Sequence, residues 1–154
     1  MLPTYNYAMK MNESHATGPL VSLLTPVSPS GPARPLVWQG LYGCGDALAL
    51  AQAIRRERRL YLVVTEDTQT AVRLEHEIRF FLGGAAPVLH FPDWETLPYD
   101  TFSPLPEIIS ERLKALAELV QTPHGVLLTP VATLMQRLSP RSHVLGNTFA
   151  LKPG

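Results

Sequence analysis

The fold is decided by a run of five apolar residues in the middle of the chain, Leu60-Tyr61-Leu62-Val63-Val64. A short continuous apolar run of this kind is typical of a strand that is buried on both faces of a parallel sheet. An amphipathic stretch follows, in which Asp67 or Thr68 can cap a helix that runs toward Phe81 and stops at Gly83-Gly84. A strand followed by a helix is the repeating unit of α/β proteins.

The same alternation extends on both sides of this unit. Short apolar runs predict further strands at residues 36–38, 87–91 and 125–129. Further helices are expected over residues 47–54, over a stretch in which Ile109, Leu113, Leu116 and Val120 recur at helical spacing, and over residues 131–138. The order predicts an α/β domain in three layers, a mainly parallel sheet flanked by helices.

Length and charge limit what such a domain can be. The 154 residues suffice for one compact unit with tails, and a flexible Pro/Ser-rich leader is expected over residues 1–33. Thirteen basic side chains balance thirteen acidic ones, so no overall field attracts nucleic acid or a membrane surface. The single cysteine, Cys44, excludes an intrachain disulfide. With no long apolar run and no secretory signal, we expect a cytoplasmic protein without a membrane partner.

Before the central strand lies a loop that nearly matches a phosphate-binding loop. It reads Gly40-Leu41-Tyr42-Gly43-Cys44-Gly45-Asp46-Ala47. The template G-x-x-x-x-G-K-[ST] keeps its glycines, Gly40 and Gly45, but Asp46 replaces the lysine and Ala47 replaces the hydroxyl residue. Such a loop offers neither the lysine that binds the phosphates nor the hydroxyl that binds Mg²⁺, so no cofactor is expected. The alternative is that Gly43 and Gly45 only let the chain turn into a helix.

Other candidate sites are weak. The four arginines at residues 55–59 fit either a nucleic-acid patch or cations that complement a helix C-terminus. The five histidines include no short-spaced pair, and no Ser-His-Asp arrangement is visible. We expect neither a metal site nor catalytic residues.

One loop is unusually aromatic: Phe91-Pro92-Asp93-Trp94-Glu95-Thr96-Leu97-Pro98-Tyr99-Asp100. Aromatic rings between carboxylates and prolines indicate either a loop folded over the sheet edge or an exposed recognition surface. The candidate partner-contacting residues are Asp93, Trp94, Glu95, Tyr99 and Asp100.

This aromatic loop and its flanks resemble the N-terminal region of the bacterial transcription-repair coupling factor family. The resemblance includes Ser103-Pro104 and the run Ile108-Ile109-Ser110-Glu111-Arg112-Leu113. It continues through Thr68-Gln69-Thr70-Ala71 with Arg73-Leu74, and through Pro130-Val131 with residues 133–137. It covers roughly residues 36–154.

The resemblance implies a lobe similar to the excision-repair B subunit. Residues 34–140 would form its RecA-like α/β fold with a degenerate nucleotide loop, and residues 141–154 would begin the next domain, which binds the excision-repair A subunit. The lobe would be a non-catalytic scaffold that supports recruitment of that subunit. ATP, Mg²⁺, DNA and RNA polymerase would be bound by a motor region of the intact protein that lies outside this chain.

Two other functions remain open from the sequence. One is an active nucleotide-dependent helicase lobe, which the loop at residues 40–47 disfavours. The other is a DNA-binding module that uses Thr68-Gln69-Thr70, whose alternative role is to cap a helix.

Overall fold

Helices and strands alternate through the part of the chain that the structure describes. The computed structural model describes residues 24–26, 28, 36–96 and 103–147. The strands are β1 (Leu60–Thr65), β2 (Val88–His90) and β3 (Gly125–Pro130). The helices are α1 (Gly45–Glu57), α2 (Thr68–Leu82), α3 (Pro106–Gln121), α4 (Val131–Leu134) and α5 (Arg141–Asn147). The predicted α/β alternation is confirmed.

The three strands form one parallel sheet in the order β1-β3-β2. In the register of this sheet, Leu127 of β3 lies between Leu62 of β1 and Leu89 of β2. Parallel neighbours need long crossover connections, which the helices supply. With helices on both faces of a parallel sheet, the arrangement is consistent with a RecA-like domain.

The main core lies between one face of the sheet and helices α1 and α2. Alternate residues of β3, Val126 and Leu128, point into it and are completely buried. Ile54 of α1 and Ile78 of α2 pack against them. On the opposite face, α3 and α4 cover Leu127 and its neighbours. The sheet is therefore covered on both faces at its centre.

The boundaries of α2 follow local sequence signals. The carboxylate of Asp67 accepts a hydrogen bond from the backbone N–H of Thr70 at 2.7 Å, which caps the first turn. The helix ends at Gly83, whose φ of 54° is left-handed and whose N–H bonds to the carbonyl of Arg79 at 3.0 Å. Both predicted ends are confirmed.

Two predictions about strands are wrong. Residues 36–38 form no strand, because so short a segment makes few ladder bonds and neither edge of the described sheet pairs with it. Strand β1 is not buried on both faces: Leu60, Leu62 and Val64 are exposed. Periodicity cannot distinguish a central strand from an edge strand. Among the described strands, β3 is the long one that is buried on both faces.

The helices after β2 also differ from the prediction in detail. Helix α3 is confirmed, but it buries Ile108, Arg112 and Ala115, while Ile109 and Leu113 are exposed. Helix α4 ends at Leu134 rather than Leu138. The apolar spacing therefore predicts the helix α3 correctly, but it does not show which side of that helix is buried.

The arginines at the end of α1 hold neighbouring segments together. Arg55 donates hydrogen bonds to the carbonyls of Phe81 and Leu82 at 2.7 and 2.9 Å, at the C-terminal end of α2. Arg56 donates to the carbonyl of Pro26 at 3.2 Å, and Pro26 itself is fully buried. Pro26 of the predicted leader is therefore held at the end of α1, and most of that leader lies outside the described residues. These contacts favour a structural role for the arginines.

Candidate functional site

The phosphate-loop-like segment makes a tight turn into α1. Gly40 and Gly43 have φ values of 73° and 58°, which L-residues with side chains rarely adopt. The N–H of Gly45 bonds to the carbonyl of Tyr42 at 3.0 Å and closes the turn. The glycines thus serve the backbone conformation here, with or without a ligand.

A carboxylate lies at the N-terminus of α1, where a phosphate would bind in a working loop. Asp46 is in the first helical turn, and its Oδ1 accepts a hydrogen bond from the N–H of Ala47 at 2.7 Å. Its Oδ2 lies 3.0 Å from Nη2 of Arg73 on α2. The positive end of a helix dipole favours an anion at this place. The protein supplies that anion from its own side chain.

The ion pair also joins the two helices that cover the main core. Arg73 bonds to Glu77 as well, with Nη1 2.8 Å from Oε2. The hydrogen bond to Asp46 is the main reason that the pKa of Arg73 is raised above its ordinary value. A guanidinium held by two carboxylates has little net attraction left for an added phosphate.

Ala47 faces the core and not the loop. Its side chain is completely buried and belongs to the cluster formed with Leu74, Ile78 and Leu128. The position that carries a metal-binding hydroxyl in the template is therefore used for packing. Together, Asp46 and Ala47 remove the two side-chain functions of a nucleotide loop.

The aromatic loop is attached to α3 by a buried arginine. The guanidinium of Arg112 lies 4.1 Å from the ring centroid of Phe91 and 4.1 Å from that of Trp94. Arg112 is only 3% exposed and donates a hydrogen bond to the carbonyl of Pro92. Burial lowers the pKa of Arg112, and the nearby Asp93 opposes that shift. The arginine thus stacks between two rings and holds the loop backbone.

A second attachment joins the same loop to α4. Oδ1 of Asp93 accepts hydrogen bonds from Thr133 at 3.2 Å and from Gln136 at 2.6 Å. Asp93 and Trp94 are therefore half-buried and already have partners within the lobe. Glu95 is exposed and has a φ of 57°, a left-handed conformation at a non-glycine residue. Tyr99 and Asp100, the other two candidate partner residues, lie outside the described residues.

The importance of Arg112 was missed in the sequence although a signal was present. Ile108, Arg112 and Ala115 recur at helical spacing, so the arginine occupies a place on an otherwise apolar side of α3. A charged residue at such a position needs a partner when it is buried. The aromatic rings of Phe91 and Trp94 can cover the guanidinium of Arg112.

A charged cluster joins α2 to β2 beside this loop. Nδ1 of His90 lies 2.7 Å from Oε2 of Glu75, and Arg79 binds the other carboxylate oxygen at 2.8 Å. Arg79 also donates to the carbonyl of Val88 at 2.6 Å. The hydrogen bond to His90 is the largest contribution that lowers the pKa of Glu75 to about 2. This carboxylate therefore remains ionised and holds α2 against β2.

A small cavity lies between α3, α4 and β3 in the described part of the chain. Its volume is about 80 Å³, and its lining is mostly apolar. Small-molecule sites usually have volumes of about 300–1,000 Å³. Among the described residues, no cluster of His, Cys, Asp or Glu could hold a metal ion. None of the described helices has the length and apolarity to cross a bilayer.

Comparison with known proteins gives one consistent result. The chain is 47% identical over 109 residues to the transcription-repair-coupling factor of Haemophilus influenzae, a match over 71% of this chain and 9% of the relative. It is 41% identical over 114 residues to the coupling factor of Escherichia coli, covering 74% of this chain and 10% of that protein. For the coupling factor of Mycobacterium tuberculosis, the identity is 37% over 101 residues, or 61% of this chain and 8% of the relative.

These matches concern a small part of much longer proteins. The chain spans about a tenth of the length of the curated relatives that it matches, and the match lies in their N-terminal part. No protein-family model matches the chain.

Proposed function

Because this chain belongs to the transcription-repair coupling factor family and corresponds to its N-terminal region, we propose that it is a non-catalytic scaffold lobe in transcription-coupled nucleotide excision repair. In this proposal the lobe supports the neighbouring domain that recruits the excision-repair A subunit. The intact protein, acting in the cytoplasm, uses ATP in a separate motor region to move along DNA and displace stalled RNA polymerase.

The ion pair between Asp46 and Arg73 is the observation that carries the proposal. A phosphate arriving at the N-terminus of α1 would meet the Asp46 carboxylate at the position where a nucleotide loop supplies a lysine. At a separation of about 4 Å, like charges near a protein surface repel by roughly 4 kcal/mol. Ala47 has no oxygen for Mg²⁺ and is buried in the core. The loop therefore lacks what ATP hydrolysis requires.

The internal bonding of the aromatic loop supports a scaffold role as well. Arg112 ties the loop to α3, and Asp93 ties it to Thr133 of α4. The residues by which the chain resembles the family thus hold three elements in fixed positions. A recruiting domain attached to such a lobe would be held in a defined orientation.

Nucleotide titration tests the proposal against its first alternative, an active helicase lobe. We expect calorimetric titration of the chain with Mg²⁺–ATP to give no saturable binding up to millimolar nucleotide. Saturable binding at micromolar ATP that depends on Mg²⁺ would contradict the scaffold role. The variant Asp46→Ala, which removes the repelling carboxylate, shows whether any residual binding involves this loop.

The second alternative, a DNA-binding module, has weaker support. Residues 68–70 begin α2, and the N-H of Thr70 is engaged by the Asp67 carboxylate. Arg73, the nearby cation, is paired with Asp46 and Glu77. Fluorescence anisotropy with labelled duplex DNA at low and moderate salt distinguishes this alternative, because DNA contacts to cations weaken steeply with salt. A salt-dependent affinity that Arg73→Glu abolishes would support it.

Recruitment itself is measured in the intact coupling factor. We expect Arg112→Ala to weaken binding of the excision-repair A subunit, because the loop and the adjacent elements lose their fixed arrangement. Lys114→Ala, an exposed position on the same helix, is the matched control. Equal A-subunit affinity in the wild type and both variants would argue against a supporting role for this lobe.

A further inference from the structure

We draw no further inference here: the strongest candidate, the small apolar cavity between α3, α4 and β3 that the buried Thr129 helps to line, is bordered by the exposed Leu134 and Leu138, and nothing in the structure shows what covers it.

Discussion

Nη2 of Arg73 lies 3.0 Å from Oδ2 of Asp46, and this contact joins the middle of α2 to the first turn of α1. Asp46 occupies the position at which a nucleotide loop has its lysine, and here it holds two helices of the same domain together. The glycine turn of such a loop is retained, but the anion at the helix N-terminus is a carboxylate of the protein itself.

Asp46→Asn is expected to lower the free energy of unfolding by only about 0.2–1 kcal/mol, because Asp46 and Arg73 are partly exposed and water screens their attraction. Urea unfolding followed by circular dichroism measures the change. A double-mutant cycle with Arg73→Ala isolates the pair, and a coupling free energy near zero would mean that the contact does not join the helices. Glu118→Gln, in an exposed pair with Lys114, is the control.

Arg112→Ala is expected to destabilise the lobe by about 3 kcal/mol, since it leaves a cavity between two rings and removes the donor to the carbonyl of Pro92. The fluorescence of Trp94, recorded in a Trp38→Phe background, is expected to shift to longer wavelength as the ring loses its cover. Lys114→Ala, exposed on the same helix, should change neither quantity by much. An unchanged Trp94 spectrum in Arg112→Ala would show that the loop does not depend on this arginine.

The stability of the lobe is expected to depend on acid through Glu75. The folded-state pKa is about 2, below the ordinary value of 4.5, so the unfolded state takes up a proton first as the pH falls. The stabilisation is therefore complete above pH 4.5 and is lost as the pH falls toward about 2. Glu75→Gln should be less stable than the wild type at neutral pH, and the difference should shrink through this range. Urea midpoints at a series of pH values measure it, and a difference independent of pH would contradict the assignment.

Gly125→Ala is expected to destabilise the sheet by about 1–3 kcal/mol. Gly125 has a φ of 133°, and an added Cβ would lie 2.5 Å from the carbonyl oxygen of Pro87, which is backbone and cannot move aside easily. Gly146→Ala is the matched control, because nothing lies within 4 Å of its Cβ position and alanine favours the helix α5. Thermal unfolding of both variants gives the comparison, and equal melting temperatures would contradict the close approach.

Local sequence signals predicted the elements better than their packing. The ends of α2 could be assigned from Asp67 and Gly83 because a cap depends on residues within one turn. The buried side of α3 could not be assigned, because two apolar stripes share that helix and only the position of the sheet selects Ile108 and Ala115. The candidate partner residues likewise rest on their chemistry alone. That Glu95 contacts a partner stays a prediction.

The sequence by itself determined the α/β alternation, the glycine turn of the loop and the loss of its lysine and hydroxyl, since each depends on residue types at fixed spacing. Only the tertiary structure decided which residues contact Asp46 and the aromatic loop. The partner of Asp46 is 27 positions away, on α2, and Arg112 meets the two rings from another element. Tertiary structure also decided that β1 has β3 as its one neighbour among the described strands, because the number of neighbours of a strand is a property of the sheet and not of the strand.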